Sequence, residues 1–147
     1  MTEFFSVFTN PDVLLLTAVL AVLISLALAW VSSFIMYGQV AFLKKLFPAP
    51  FQLIRAHIDF LMMAFLLGLG HYFIGLLELQ IPAWVIVLFC LGAIYNPIGF
   101  IFLAINPALG KPQTTVDRLK IYIGFLPVTI GSGYVMVASG LALLNLV

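Results

Sequence analysis

The feature that most constrains the fold of this chain is a series of four long apolar stretches with very few charged residues. A segment of ~20 mainly apolar residues is long enough to cross the hydrocarbon core of a bilayer as an α-helix. Of the 147 residues, 65% are hydrophobic and only 7% are charged, whereas a soluble domain carries roughly 25% charged residues. The sequence therefore predicts an all-α fold, an integral membrane four-helix bundle. It forms one transmembrane domain over residues 1–147, with spans at about 13–37, 57–79, 82–105 and 119–146.

The scarcity of charges and of cysteine argues against several classes of function. The net charge is +1, and no run of basic residues is interleaved with aromatic ones, so nucleic acid is not an expected partner. The one cysteine, Cys90, lies within an apolar stretch, and the sequence therefore predicts neither a disulfide framework nor a CxxC metal site. We expect membrane lipid and a small lipophilic substrate as partners instead.

The positively charged residues indicate how the chain is oriented in the membrane. Cytoplasmic loops of membrane proteins carry an excess of Lys and Arg. All six basic residues of this chain fall in the first and third loops, which we therefore expect in the cytoplasm. Both termini and the short second loop should lie on the non-cytoplasmic side of the cell (inner) membrane. The basic residues are Lys44, Lys45 and Arg55 in the first loop, and Lys111, Arg118 and Lys120 in the third.

Span four carries glycines at a helical repeat. Gly124 and Gly131 are seven residues apart, and so are Gly133 and Gly140. In a membrane, small residues at two-turn spacing let helices approach closely. Span four is therefore predicted either to be central in the bundle or to form the interface of a homo-oligomer.

Span two contains most of the ionisable residues inside the spans, and such residues are functional candidates because they are costly in lipid. At about 100° per residue, one face of this helix carries two histidines among mostly small side chains. We expect this face to accept a flat, bulky ligand, with a helix-packing seam as the alternative. Its residues are His57, Leu61, Ala64, Gly68, His71 and Gly75.

His57 is the predicted ligand of a haem iron. A neutral imidazole in an apolar setting is a good iron ligand. The cationic groups of Arg55 and of Lys44 or Lys45 would neutralise the haem propionates at the membrane edge. His71 lies ~21 Å further along the helix, at 1.5 Å per residue, and cannot ligate the same iron. A five-coordinate iron with an open position is therefore expected, and we interpret His71 as a packing histidine.

Two segments resemble a known family of small four-helix membrane proteins, the styrene oxide isomerase and hydroxylaminobenzene mutase group. They are residues 55–63 (RAHIDFLMM) and residues 96–100 (NPIGF). In styrene oxide isomerase the matching histidine ligates haem b at the subunit interface of a trimer, and ferric iron acts as a Lewis acid on the epoxide oxygen. The resemblance implies haem b as the cofactor, His57 as the iron ligand, and a trimer.

The chain departs from this family at the groups that handle the epoxide. Met63, Ile101 and Ala93 stand where the family has an Asn, a Tyr and an Asp. Asn96, Tyr95 and Asp59 are the candidate substitutes for catalysis, while Arg55, Ala64 and Gly68 complete the predicted cofactor site around His57. The expected function is rearrangement of a small lipophilic substrate at the iron. The alternative is a non-catalytic haem-binding or structural membrane subunit.

Overall fold

The structure, a computed structural model, describes residues 10–111 and 114–145. Over these residues it contains five α-helices and no strand. Four of the helices are long and apolar enough to cross a membrane, which confirms the predicted all-α, four-helix membrane bundle. The α-helices are α1 (Asp12–Met36), α2 (Ala41–Leu46), α3 (Pro50–Leu76), α4 (Ala83–Ile105) and α5 (Thr115–Leu144), with a 3₁₀ turn at Pro107–Gly110.

Two helices begin earlier than the apolar pattern indicates. The helix of span two starts at Pro50, because proline at the first position of a helix lacks only an N–H that would have no partner there. It ends at Leu76, and Glu78 then adopts a left-handed conformation with φ of 50° that turns the chain towards α4. The helix of span four starts at Thr115, and its apolar part runs from Gly124 to Leu144. The predicted end at residue 146 lies outside the described residues.

The helices pack in chain order. α1 lies against α3, α3 against α4, and α4 against α5. One stripe of α1, at alternating three- and four-residue spacing, is buried, as expected for a helix with a single protein-facing side. The largest fully buried side chains include Phe60 of α3 and Phe89 of α4 at the centre of the bundle. The buried stripe of α1 consists of Leu14, Ala18, Ala21, Ser25, Leu28, Ser32 and Ile35.

Glycines bring α4 and α5 into backbone contact. A Cβ atom at Gly92 would lie 2.2 Å from the backbone nitrogen of Val128, and one at Gly131 would lie 2.6 Å from Cα of Phe89. Neither position has room for a side chain, so the two helices approach as closely as small residues allow in membrane proteins. Gly133 and Gly140, by contrast, have no such neighbour within 4 Å. Span four therefore uses Gly131 inside the bundle and leaves Gly133 and Gly140 on the outer surface of the bundle.

Candidate functional site

The predicted iron ligand, His57, is bonded to Ser25 on the neighbouring helix α1. His57 Nδ1 lies 2.7 Å from Ser25 Oγ and 3.0 Å from the Ser25 carbonyl oxygen. In return, the Ser25 hydroxyl donates to the carbonyl oxygen of His57 at 2.9 Å. Each of the two residues thus contacts the other through both its side chain and its backbone, which fixes the imidazole in one orientation.

These bonds determine which ring nitrogen of His57 carries the proton. The single hydroxyl proton of Ser25 is used towards the His57 carbonyl oxygen. The remaining Ser25 oxygen atoms near Nδ1 can only accept, so Nδ1 is assigned as an N–H donor. In the tautomer with a single ring proton, the lone pair lies on Nε2. This tautomer, assigned from the hydrogen-bond network, is the one that metal-ligating histidines adopt when a backbone carbonyl accepts from the other nitrogen.

Ser25 was not singled out from the sequence, although a signal was present. It is fully buried within an apolar helix and lies on the same three- and four-residue repeat as the buried aliphatic residues of α1. A polar side chain on a protein-facing stripe in lipid needs a hydrogen-bond partner on a neighbouring helix or in its own backbone. The repeat alone could not identify that partner as His57.

His71 has a partner at the other end of the same helix pair. Its Nε2 lies 3.1 Å from Oδ1 of Asp12, the first residue of α1. His71 is 30% exposed and Asp12 is 71% exposed, so the contact lies near the surface of the bundle. The geometry agrees with the interpretation of His71 as a packing histidine that bonds a neighbouring helix.

The two histidine contacts show what covers the predicted ligand face of α3. Ser25 meets His57 at one end of the face, and Asp12 meets His71 at the other, so α1 runs antiparallel along it. Ala64, midway along the face, is buried. Gly68 is half-buried, and a Cβ there would meet no atom within 4 Å. Ala64 thus lies in the seam between α1 and α3, whereas Gly68 has open space beside it, and a ligand of His57 would lie at the rim of that seam.

Two of the predicted catalytic residues contact each other on a different side of α3. Asn96 of α4 donates from Nδ2 to Oδ2 of Asp59 at 2.9 Å, and both side chains are half-buried. Tyr95 projects from the preceding position of α4 and is 55% exposed. Its ring lies 3.6 Å from where a Cβ of Gly124 on α5 would be. Asp59 and Asn96 therefore form one polar contact between α3 and α4, with Tyr95 beside it against α5.

The structure thus separates residues that the sequence grouped in one site. Asp59 is two residues after His57, about 200° around the helix, so His57 faces α1 while Asp59 faces α4. Arg55 is exposed, and its Nη1 is 3.5 Å from Oε1 of Gln52 on the same helix. Within the described residues, no three His, Cys, Asp or Glu side chains lie close enough together to hold a metal ion.

Known proteins add no further identification. The chain matches no family model, no curated protein and no solved structure. The likeness to the isomerase and mutase group therefore depends on the two short segments at residues 55–63 and 96–100.

Proposed function

We propose that this membrane protein binds haem b through Nε2 of His57 and acts, like the isomerase and mutase group, on a small lipophilic substrate. The observation that carries the proposal is the bond from His57 Nδ1 to the Ser25 carbonyl oxygen at 3.0 Å. This contact orients the ring and, in the neutral tautomer, leaves the lone pair on Nε2, as the second contact of a metal-ligating histidine does.

The surroundings of His57 fit a haem at the outer surface of the bundle. His57 lies at the edge of the protein-facing arc of α3. Beside it, at about 40° and 80° around the helix, lie Leu61 and Phe65, which are 41% and 69% exposed. An apolar macrocycle would lie against these side chains in the hydrocarbon region. Arg55 lies at the other edge of this apolar arc, on the side nearest the membrane surface. There its guanidinium would neutralise a haem propionate.

The contribution of the chain to the reaction is binding and orientation. When bound through His57, a ferric haem would supply Lewis acidity towards a substrate oxygen. The Ser25 carbonyl oxygen would accept from Nδ1 and leave Nε2 for the iron. Leu61 and Phe65 face the hydrocarbon region, so that a lipophilic substrate would reach His57 from the bilayer without crossing water.

A second candidate is a haem-binding or structural subunit without catalysis. It is favoured by the position of Asp59 and Asn96, whose hydrogen bond faces α4 while the His57 ring faces α1. An acid–base group must be within hydrogen-bond reach of the proton that it moves. A pair on the opposite side of α3 does not meet that condition for a substrate bound beside His57 of the same subunit.

We further propose that the chain forms a homo-oligomer, a trimer by its resemblance to the isomerase. Support comes from Gly133 and Gly140, which lie exposed on one face of α5, where an added Cβ would have no atom within 4 Å. Val137 lies between them and is also exposed. A shallow, apolar face of this kind lets a helix of a second subunit approach closely.

For the orientation, we propose that the loops after α1 and α4 face the cytoplasm of the cell membrane. Lys44 and Lys45 are exposed in the first of these loops and Lys111 in the other. The positive-inside bias then assigns both termini to the opposite side.

The test of function is an absorption spectrum of the detergent-solubilised protein, followed by an assay of aryl epoxides and arylhydroxylamines as substrates. A Soret band with turnover supports isomerase or mutase activity. A Soret band without turnover supports the non-catalytic subunit. A protein that stays without a Soret band when haem is added contradicts both haem-binding candidates and leaves the structural subunit.

A further inference from the structure

The short helix α2 is amphipathic and lies at one end of the bundle. At about 100° per residue, its apolar and cationic residues occupy opposite halves of the helix surface. On the apolar half, Leu43 and the adjoining Phe47 pack against the core, while Phe42 and Leu46 are 71% and 42% exposed. Lys44 and Lys45 occupy the other half and are exposed.

Backbone hydrogen bonds attach α2 to the long helices. The N–H of Val40 donates to the carbonyl oxygen of Phe34 in α1 at 3.3 Å, across a turn in which Gln39 has φ of 55°. On the other side, the N–H of Ala49 donates to the carbonyl oxygen of Ala104 in α4 at 3.2 Å. The residues that flank α2 are thus bonded to α1 and α4, which restricts the position of the short helix between them.

Aromatic side chains place α2 at the level of the lipid headgroups. Trp30 and Phe34, in the last turns of α1, have ring centroids 5.8 Å apart and are exposed on the outside of the bundle. Tyr37, directly after α1, is 83% exposed. Exposed Trp and Tyr side chains at a helix end are typical of the membrane–water boundary. α2 follows within four residues of Tyr37 and therefore lies at this boundary.

The positive charge of α2 has no acidic counterpart nearby in the sequence. No Asp or Glu occurs between Asp12 and Asp59. Lys44 donates a hydrogen bond to Oε1 of Gln39, a neutral acceptor. Arg55, in the first turns of α3, is a third exposed cation in the same loop region as Lys44 and Lys45. The charges of Lys44 and Lys45 are therefore available to an external anion.

We propose that α2 is a binding surface for the headgroup of an anionic phospholipid, with the phosphate at Lys44 and Lys45 and the acyl chains along Phe42 and Leu46. The two lysines favour an anionic headgroup because the charges are opposite. The exposed apolar half of the same helix favours a ligand that also has acyl chains. Interfacial helices with basic and aromatic residues on opposite faces bind anionic lipid in this way. This lipid site does not depend on haem binding. Lys44 and Lys45 would contact the lipid phosphate, and Arg55 alone would remain to neutralise a haem propionate.

The test is a lipid titration of the full chain in a nonionic detergent, with bound lipid counted by native mass spectrometry. Each Lys near an anionic lipid strengthens binding by about fivefold. We expect phosphatidylglycerol to bind at least about fivefold more tightly than phosphatidylcholine. The double variant K44Q/K45Q should abolish this preference, whereas K44R/K45R should retain it.

Two controls identify the source of any binding. K111Q removes an exposed cation from the other basic loop and should leave the preference unchanged. Inorganic phosphate in large excess should not displace phosphatidylglycerol, because it cannot contact Phe42 and Leu46. Equal binding of the two lipids, an unchanged preference in a K44Q/K45Q variant that keeps its helical circular dichroism, or full displacement by phosphate would each overturn the proposal.

Discussion

Ser25 of α1 and His57 of α3 bond each other through both side chain and backbone, with His57 Nδ1 3.0 Å from the Ser25 carbonyl oxygen and Ser25 Oγ 2.9 Å from the His57 carbonyl oxygen. This pair is at once a contact that holds two membrane helices together and a contact that orients an imidazole. Both properties can be measured separately.

Replacing Ser25 by Ala should weaken both the helix contact and haem binding. Interhelical hydrogen bonds in membrane proteins average ~0.6 kcal/mol each, and the hydroxyl takes part in two of them. We expect a loss of about 1 kcal/mol in unfolding free energy. Loss of a whole partner of a metal-ligating histidine lowers metal affinity by roughly tenfold or more. Ser25→Ala removes only the hydroxyl and keeps the carbonyl oxygen that lies 3.0 Å from Nδ1, so haem affinity in a Soret titration should fall by less than about tenfold.

Ser32→Ala is the matched control for Ser25→Ala. Ser32 lies on the same buried stripe, but its hydroxyl donates to the Leu28 carbonyl oxygen within α1 at 2.7 Å. Such a bond does not join two helices, and its removal should leave haem affinity unchanged. Equal effects of both substitutions on haem affinity would contradict an orienting role for the Ser25 hydroxyl.

Gly92→Ala should separate α4 from α5. The new methyl group would lie 2.2 Å from the Val128 backbone nitrogen, and backbone cannot move aside as a flexible side chain does. Overpacking of this kind costs about 1–3 kcal/mol, which chemical unfolding in detergent followed by circular dichroism should detect. Gly99→Ala on the same helix has no atom within 4 Å of the new methyl group and should be neutral. A tolerated Gly92→Ala would contradict the close approach of the two helices.

Asp59 and Asn96 should show a coupling free energy in a double-mutant cycle. Their side chains share one interhelical hydrogen bond of 2.9 Å, and such couplings are ~0.6 kcal/mol on average, with a maximum of ~1.7 kcal/mol. The cycle compares the unfolding free energies of Asp59→Ala, Asn96→Ala and the double variant. A reference cycle uses Thr129→Ala in place of Asn96→Ala. The Thr129 hydroxyl donates to the Phe125 carbonyl oxygen within α5, so no bond to Asp59 is lost. A coupling as small as the reference value would show that the two residues do not interact in the membrane.

The sequence predicted the number of spans well because bilayer thickness sets the length of an apolar helix. It placed the start of span two seven residues late, since residues 50–56 include Gln52 and Arg55 and do not look apolar, although Pro50 is a favourable first residue. Helix partners such as Ser25 for His57 depend on which helices are neighbours and cannot be read from periodicity.

The separation of His57 from Asp59 could, in contrast, have been predicted. Two residues in an α-helix are about 200° apart, so neighbouring positions in the sequence motif RAHID cannot all line one site. Asp59 was grouped with His57 as a candidate substitute for the missing catalytic groups, whereas the structure places His57 towards α1 and Asp59 towards α4.

Bulky residues at Gly133 and Gly140 should reduce self-association. The double variant G133L/G140L adds side chains to an outer face of α5 where an added Cβ meets no atom within 4 Å, so the fold should remain while close helix approach between subunits is blocked. Light scattering of the detergent complex measures the change in mass. G99L, at another glycine with open space, is the control. An oligomer that is unchanged in G133L/G140L would place the interface elsewhere.

The most direct test of the proposed function is a haem titration of the full chain followed at the Soret band, comparing the wild type with His57→Ala and His71→Ala. His71 is a matched control because it lies on the same helix face and also bonds α1. The account predicts saturable binding to the wild type and to His71→Ala, and none to a folded His57→Ala. Binding that survives in His57→Ala, or that is absent from the wild type, would contradict it.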